Sequence, residues 1–160
     1  MLIRLLTALC VLLAAACGQE AAETPAPAAP AAETSAPAPL VFERQPAPAG
    51  AAAYIIEPAD GATVTSPVRV VFGLSGAGVI PAGNPHETAG HHHLLVDTGL
   101  PDLGMPIPAD DNHRHFGGGQ TETELALAPG THTLQLLLGD HLHIPHDPPI
   151  MSEPITITVN

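Results

Sequence analysis

The sequence contains no lysine and no tryptophan, and among its 160 residues it has one tyrosine and three phenylalanines. Its only basic side chains besides histidine are four arginines, set against 16 acidic ones for a formal net charge of −12. Such a chain repels phosphate backbones, which excludes nucleic acid as a partner. It also lacks a basic face for anionic lipid. Cysteine is nearly absent, occurring at positions 10 and 17 alone. Alanine supplies much of the 45 % apolar content, so the core is smaller than that figure suggests, and one domain is the natural reading at this length.

Residues 1–16, MLIRLLTALCVLLAAA, carry one charge at Arg4, then an apolar run, then small residues. This pattern predicts a secretory signal, too short for a stable membrane span. Ala14, Ala15, Ala16 and Cys17 resemble the lipobox of bacterial lipoproteins. The resemblance implies lipidation of Cys17, a membrane partner reached through that lipid, and a place in the bacterial cell envelope. Gly18, in the position where aspartate would signal inner-membrane retention, points to the periplasmic face of the outer membrane. The alternative is an ordinary cleaved signal that leaves Cys17 as a free thiol. With Cys10 removed and Cys17 lipidated, the mature chain has no thiol for a disulfide, a thiolate zinc site, a blue-copper centre or a cysteine nucleophile. It then holds three arginines against 16 acids, a formal charge of −13.

From residue 17 to about residue 50 the chain is rich in alanine and proline, with no helical or strand period. It reads as a disordered tether. Residues 51–160 change character. Alternating runs at 54–57, 68–74, 91–97, 121–127, 131–139 and 155–159 are separated by turn residues such as Pro58-Ala59-Asp60-Gly61 and Ala128-Pro129-Gly130. No long stretch has helical spacing. The expected fold is all-β, an immunoglobulin-like antiparallel sandwich of about six to eight strands. Residues 98–119 and 140–149, dense in Gly, Pro, Asp and His, are expected to be long loops.

Ten histidines fall between His86 and His146, and they cluster. The clusters are His91-His92-His93, then His113 and His115, then His141, His143 and His146. Residues two apart on an extended backbone point to the same side. A His-x-His step therefore offers two imidazoles to one ion, and a third or fourth from a nearby loop completes a zinc or copper(II) site. The favoured ligands are His91, His93, His115, His143 and His146, with His92, His113 and His141 as second choices. Whether His92 or the His91/His93 pair faces the site depends on strand register, which the sequence leaves open. Asp97, Asp110, Asp111, Asp140 and Asp147 are candidate carboxylate ligands or imidazole supports. Gly117-Gly118-Gly119 lacks the lysine and helix of a phosphate loop; it is expected to allow positive φ or close backbone approach beside His115. Neither Ser66 nor Ser152 sits in a hydrolase motif.

The segments GHHHLLVD, PADDNHRHFGGGQTE, PGTHTLQLLLGDH, HIPHDPP and SEPITITV resemble the DUF4399 family, small bacterial secreted or lipoprotein domains without an established activity. The likeness spans about Tyr54 to Val159. It places His91, His92, His93, His115, Gly117 to Glu122, His143 and His146 in its motifs, and implies a compact envelope domain. A looser, architecture-level likeness to periplasmic copper-handling sandwiches and copper–zinc superoxide dismutase rests on the His-x-His steps.

Two functions fit these residues. The first is an envelope-tethered domain that binds copper or zinc for sequestration or handover in the periplasm. Its affinity should fall as pH drops through about 6.5. The second is a non-catalytic module whose histidines rigidify loops against an envelope partner. A superoxide dismutase-like redox enzyme stands third, and no catalytic residue is assigned.

Overall fold

The computed structural model describes residues 42–160. The signal segment, Cys17 and the tether up to residue 41 lie outside these. Among the described residues nine strands make up the regular structure and no helix occurs. They are β1 (Ala52–Glu57), β2 (Thr63–Val64), β3 (Val68–Ser75), β4 (Gly78–Val79), β5 (Ala89–Val96), β6 (His113–His115), β7 (Glu122–Leu125), β8 (Gly130–Gly139) and β9 (Ile155–Val159). The six alternating runs correspond to β1, β3, β5, β7, β8 and β9. The other three strands have only two or three residues each, too few to show a period. One of them, β6, lies inside the segment expected to be loop.

Two sheets form, one of three strands in the order β1-β3-β7 and one of six in the order β2-β9-β8-β5-β4, with β6 also on β5. The long pairings are antiparallel, whereas the short pairings β2–β9 and β4–β5 are parallel. The sheets enclose a core of Val68, Val70 and Phe72 from one side and Leu94, Leu134, Leu136, Leu138 and Ile157 from the other. Alternation explains it: Leu134, Leu136 and Leu138 share the inward face of β8. The protein is therefore an all-β two-sheet sandwich.

The outer face of the six-stranded sheet is covered too. Leu95 and Leu137 pack there with Ile107, Leu103 and Met151. Strand β5 is thus buried along all eight residues, and it reads as a continuous run and not as an alternating one. Ordered pairing also begins upstream of the expected domain start at residue 51. Ala47 N donates to Asp147 O, and Asp147 N donates to Gln45 O. Arg44 Nε donates to Pro145 O at 3.0 Å, Arg44 Nη2 donates to His146 O, and the guanidinium pairs with Asp147 at 3.3 Å.

Candidate metal centre

Register decides which histidines meet. On β5, Leu94 points into the core, so His92 points inward with it and His91 and His93 point outward. His92 packs on Phe72, with ring centroids 5.3 Å apart. Antiparallel pairing sets His115 of β6 opposite His93. A fourth ring, His143, arrives from the loop after β8.

That loop is held by Asp140, a residue only 1 % exposed. Its Oδ1 accepts hydrogen bonds from Leu142 N at 2.8 Å and Ile144 N at 2.9 Å. Backbone bonds Asp140 N to Ile144 O and His143 N to Asp140 O, both 2.9 Å, close the turn. A buried carboxylate is tolerable where backbone N–H groups replace its hydration. His143 adopts φ +68, in the left-handed region that β-carbon sterics disfavour. Its carbonyl accepts from Ile107 N at 2.8 Å, which ties the turn to the 98–112 loop.

The four rings form one cluster. His91 lies 4.8, 5.0 and 4.8 Å from His93, His115 and His143 by ring centroid. His93 lies 5.1 Å from His115 and 5.8 Å from His143, and His115 lies 4.7 Å from His143. One nitrogen each from His91, His115 and His143 falls in a group whose members are all within 4.8 Å of one another. The His143 and His115 Nε2 atoms are 3.2 Å apart. In a tetrahedral site with metal–nitrogen bonds of about 2.0–2.1 Å, adjacent nitrogens lie about 3.3–3.4 Å apart. The geometry can therefore hold a metal ion with small side-chain adjustments.

Two glycines make room for this. A Cβ on Gly139 would stand 2.9 Å from His93 Cε1 and 3.2 Å from the His143 Cα. One on Gly117 would overlap the His115 ring. The Gly117–Gly119 run thus serves both expected purposes, since Gly119 has φ +80. Gly139 carries no signal of this role in the sequence, because a glycine closing an apolar run reads as a simple strand end.

Burial controls the charge state. It pushes His91 down to about 4, with further lowering from His143 and His115. Burial pushes His93 to about 2, aided by His91, His115 and His143. His115 is lowered by burial and then by His143. His91, His93 and His115 are accordingly held toward neutral imidazole, the form that ligates metals. Both nitrogens of His91 and His93 are buried with no hydrogen-bond partner, an arrangement that costs about 1–3 kcal/mol per group when nothing satisfies it.

Of the predicted ligands, His91, His93, His115 and His143 come together. His146 is fully buried beside Arg44 and Asp140 and makes no ring contact with the four. Among the second choices, His92 faces the core, His113 Nδ1 bonds Asp110 at 2.9 Å, and His141 lies 3.9 Å from Asp140. Four of the five candidate carboxylates are engaged elsewhere: Asp97 with His132 at 2.7 Å, Asp110 with His113, Asp111 with Arg114 at 3.5 Å, and Asp147 with Arg44.

The family profile described as "Domain of unknown function (DUF4399)" matches residues 70–160. The chain belongs to the DUF4399 family. All four clustered histidines lie within the matched span. No curated protein matches this DUF4399 chain. Among solved structures, the fibronectin(III)-like modules of Clostridium thermocellum CbhA align over 68 % of this chain and 45 % of theirs. Identity is 15 % and the TM-score is 0.32. The chain spans less than half the length of that structure.

Proposed function

We propose that this DUF4399 domain binds one transition-metal ion, copper or zinc, through His91, His115 and His143. In this reading it sequesters the ion or passes it on in the periplasm, tethered by lipid on Cys17. The observation that carries the proposal is the convergence of three imidazole nitrogens within 4.8 Å on a half-open surface. Buried nitrogens without a hydrogen-bond partner, such as both on His91, are rare in folded proteins, and a bound ion is one established explanation for them. Asp140 is the nearest buried carboxylate; its field reaches His91 and His146 and offsets part of a bound cation's charge. The acidic surface favours cation approach.

A second reading is favoured by one contact. At 3.2 Å, His143 and His115 Nε2 also satisfy a simple hydrogen bond, as a loop-bracing network of an interaction module would use. The two readings separate on chelation. A metal protein purified without a histidine tag carries about one equivalent, and chelator lowers its melting temperature. A bracing network carries none, and its melt is unchanged.

A further inference from the structure

Resting on the metal-binding reading of the same cluster, we propose that His93 is a fourth ligand, making a closed, four-imidazole centre for an ion that prefers tetrahedral coordination, zinc(II) first.

The ring geometry carries this. An ion bonded at about 2.05 Å to an imidazole nitrogen lies about 3.2 Å from the ring centroid. Four such rings arranged tetrahedrally have all six centroid separations near about 5.2 Å. A square-planar arrangement gives four of about 4.5 Å and two of about 6.4 Å. The six observed separations run from 4.7 to 5.8 Å, and none reaches the trans distance of the square. The rings are already spaced as the tetrahedron requires.

His93 is also suited by its surroundings. It is fully buried, and neither nitrogen has a hydrogen-bond partner. Gly139 leaves its ring space that a Cβ would take. Rotation about Cβ–Cγ is the adjustment that ligation asks of it, since its nitrogens lie outside the group made by the other three. Among the described residues no sulfur or carboxylate joins the cluster, so the ligand set they offer is all imidazole, compatible with zinc.

The test uses the full chain, without a histidine tag, loaded with cobalt(II) as a spectroscopic substitute for zinc(II). A tetrahedral cobalt(II) site absorbs visible light far more strongly than an octahedral one. Each ligating neutral imidazole keeps one exchangeable N–H, which the paramagnetic ion shifts out of the normal proton spectrum. The proposal expects the intense spectrum, four shifted N–H signals, and a zinc(II) affinity reduced about 100-fold or more in His93→Gln. The wild-type signal count stands even where the variant fails to fold. A weak, octahedral-type spectrum, three N–H signals, or zinc affinity unchanged in a folded His93→Gln overturns the fourth ligand and leaves the three-histidine site intact. No binding of either cobalt(II) or zinc(II) overturns both.

Discussion

Replacing His92 by leucine separates the cost of burying imidazole from any metal, because His92 lies on the core side of β5, away from the cluster. Its environment is apolar, and burial alone pushes it down from 6.5 to about 4. Above pH 6.5 the ring is neutral in both folded and unfolded chains and contributes no pH dependence. Below 6.5 the unfolded chain takes up a proton that the folded one refuses, so folding loses stability until pH reaches about 4. A shift of that size corresponds to about 3 kcal/mol over the interval. Leucine also removes two buried nitrogens that have no partner, which stabilises by about 1–3 kcal/mol at every pH. Urea denaturation of both proteins in chelator, at steps from pH 7.5 to 4, measures this. The expected result is a stability difference favouring His92→Leu that widens by about 3 kcal/mol on acidification. Parallel stability curves would refute the claim that this ring is buried neutral.

Four shorter predictions follow from the same contacts. Asp140→Ala removes the acceptor of two backbone N–H groups at the His143 turn; unfolding midpoints should show a loss of about 2–4 kcal/mol, and zinc titration an affinity loss of about 10–100-fold. Gly139→Ala should displace the His93 ring and cost about 1–3 kcal/mol, whereas Glu122→Ala, on the exposed pair with Arg69, should leave zinc binding unchanged. Because burial lowers His91 to about 4, proton competition at that ligand falls well below pH 6.5; zinc release followed by dialysis should show loss displaced below the value expected from free imidazole. His132 is raised by its hydrogen bond to Asp97. This contribution is complete below pH 6.5 and is lost as pH rises through the raised value, and Asp97→Asn should bring the NMR titration of His132 back toward 6.5.

The fold was legible where one face of a strand meets water. Thr156 and Thr158 alternate with Ile157 and Val159 on β9, and the buried face of that strand follows from the pattern. It was less legible on β5, where both faces are covered and Ala89–Val96 carries no period. There the register of His91, His92 and His93 is set by neighbours far along the chain, Leu136 to Gly139 of β8 among them. Short β6 was invisible for a different reason: three residues between Asn112 and Phe116 are too few to show alternation. The His-x-His spacing pointed correctly to His91 and His93 sharing a side. It could not separate His143 from His146, because the two lie on a turn whose course depends on the buried Asp140 carboxylate and on Arg44 from the opposite end of the domain.

The central claim is that His91, His115 and His143 hold one ion. Elemental analysis of the full chain, expressed into the periplasm without a histidine tag, beside the His143→Ala variant, tests it most directly. About one equivalent of zinc or copper in the wild type and none in folded His143→Ala is the predicted result. A wild type free of metal, or a variant that retains a full equivalent, would contradict it.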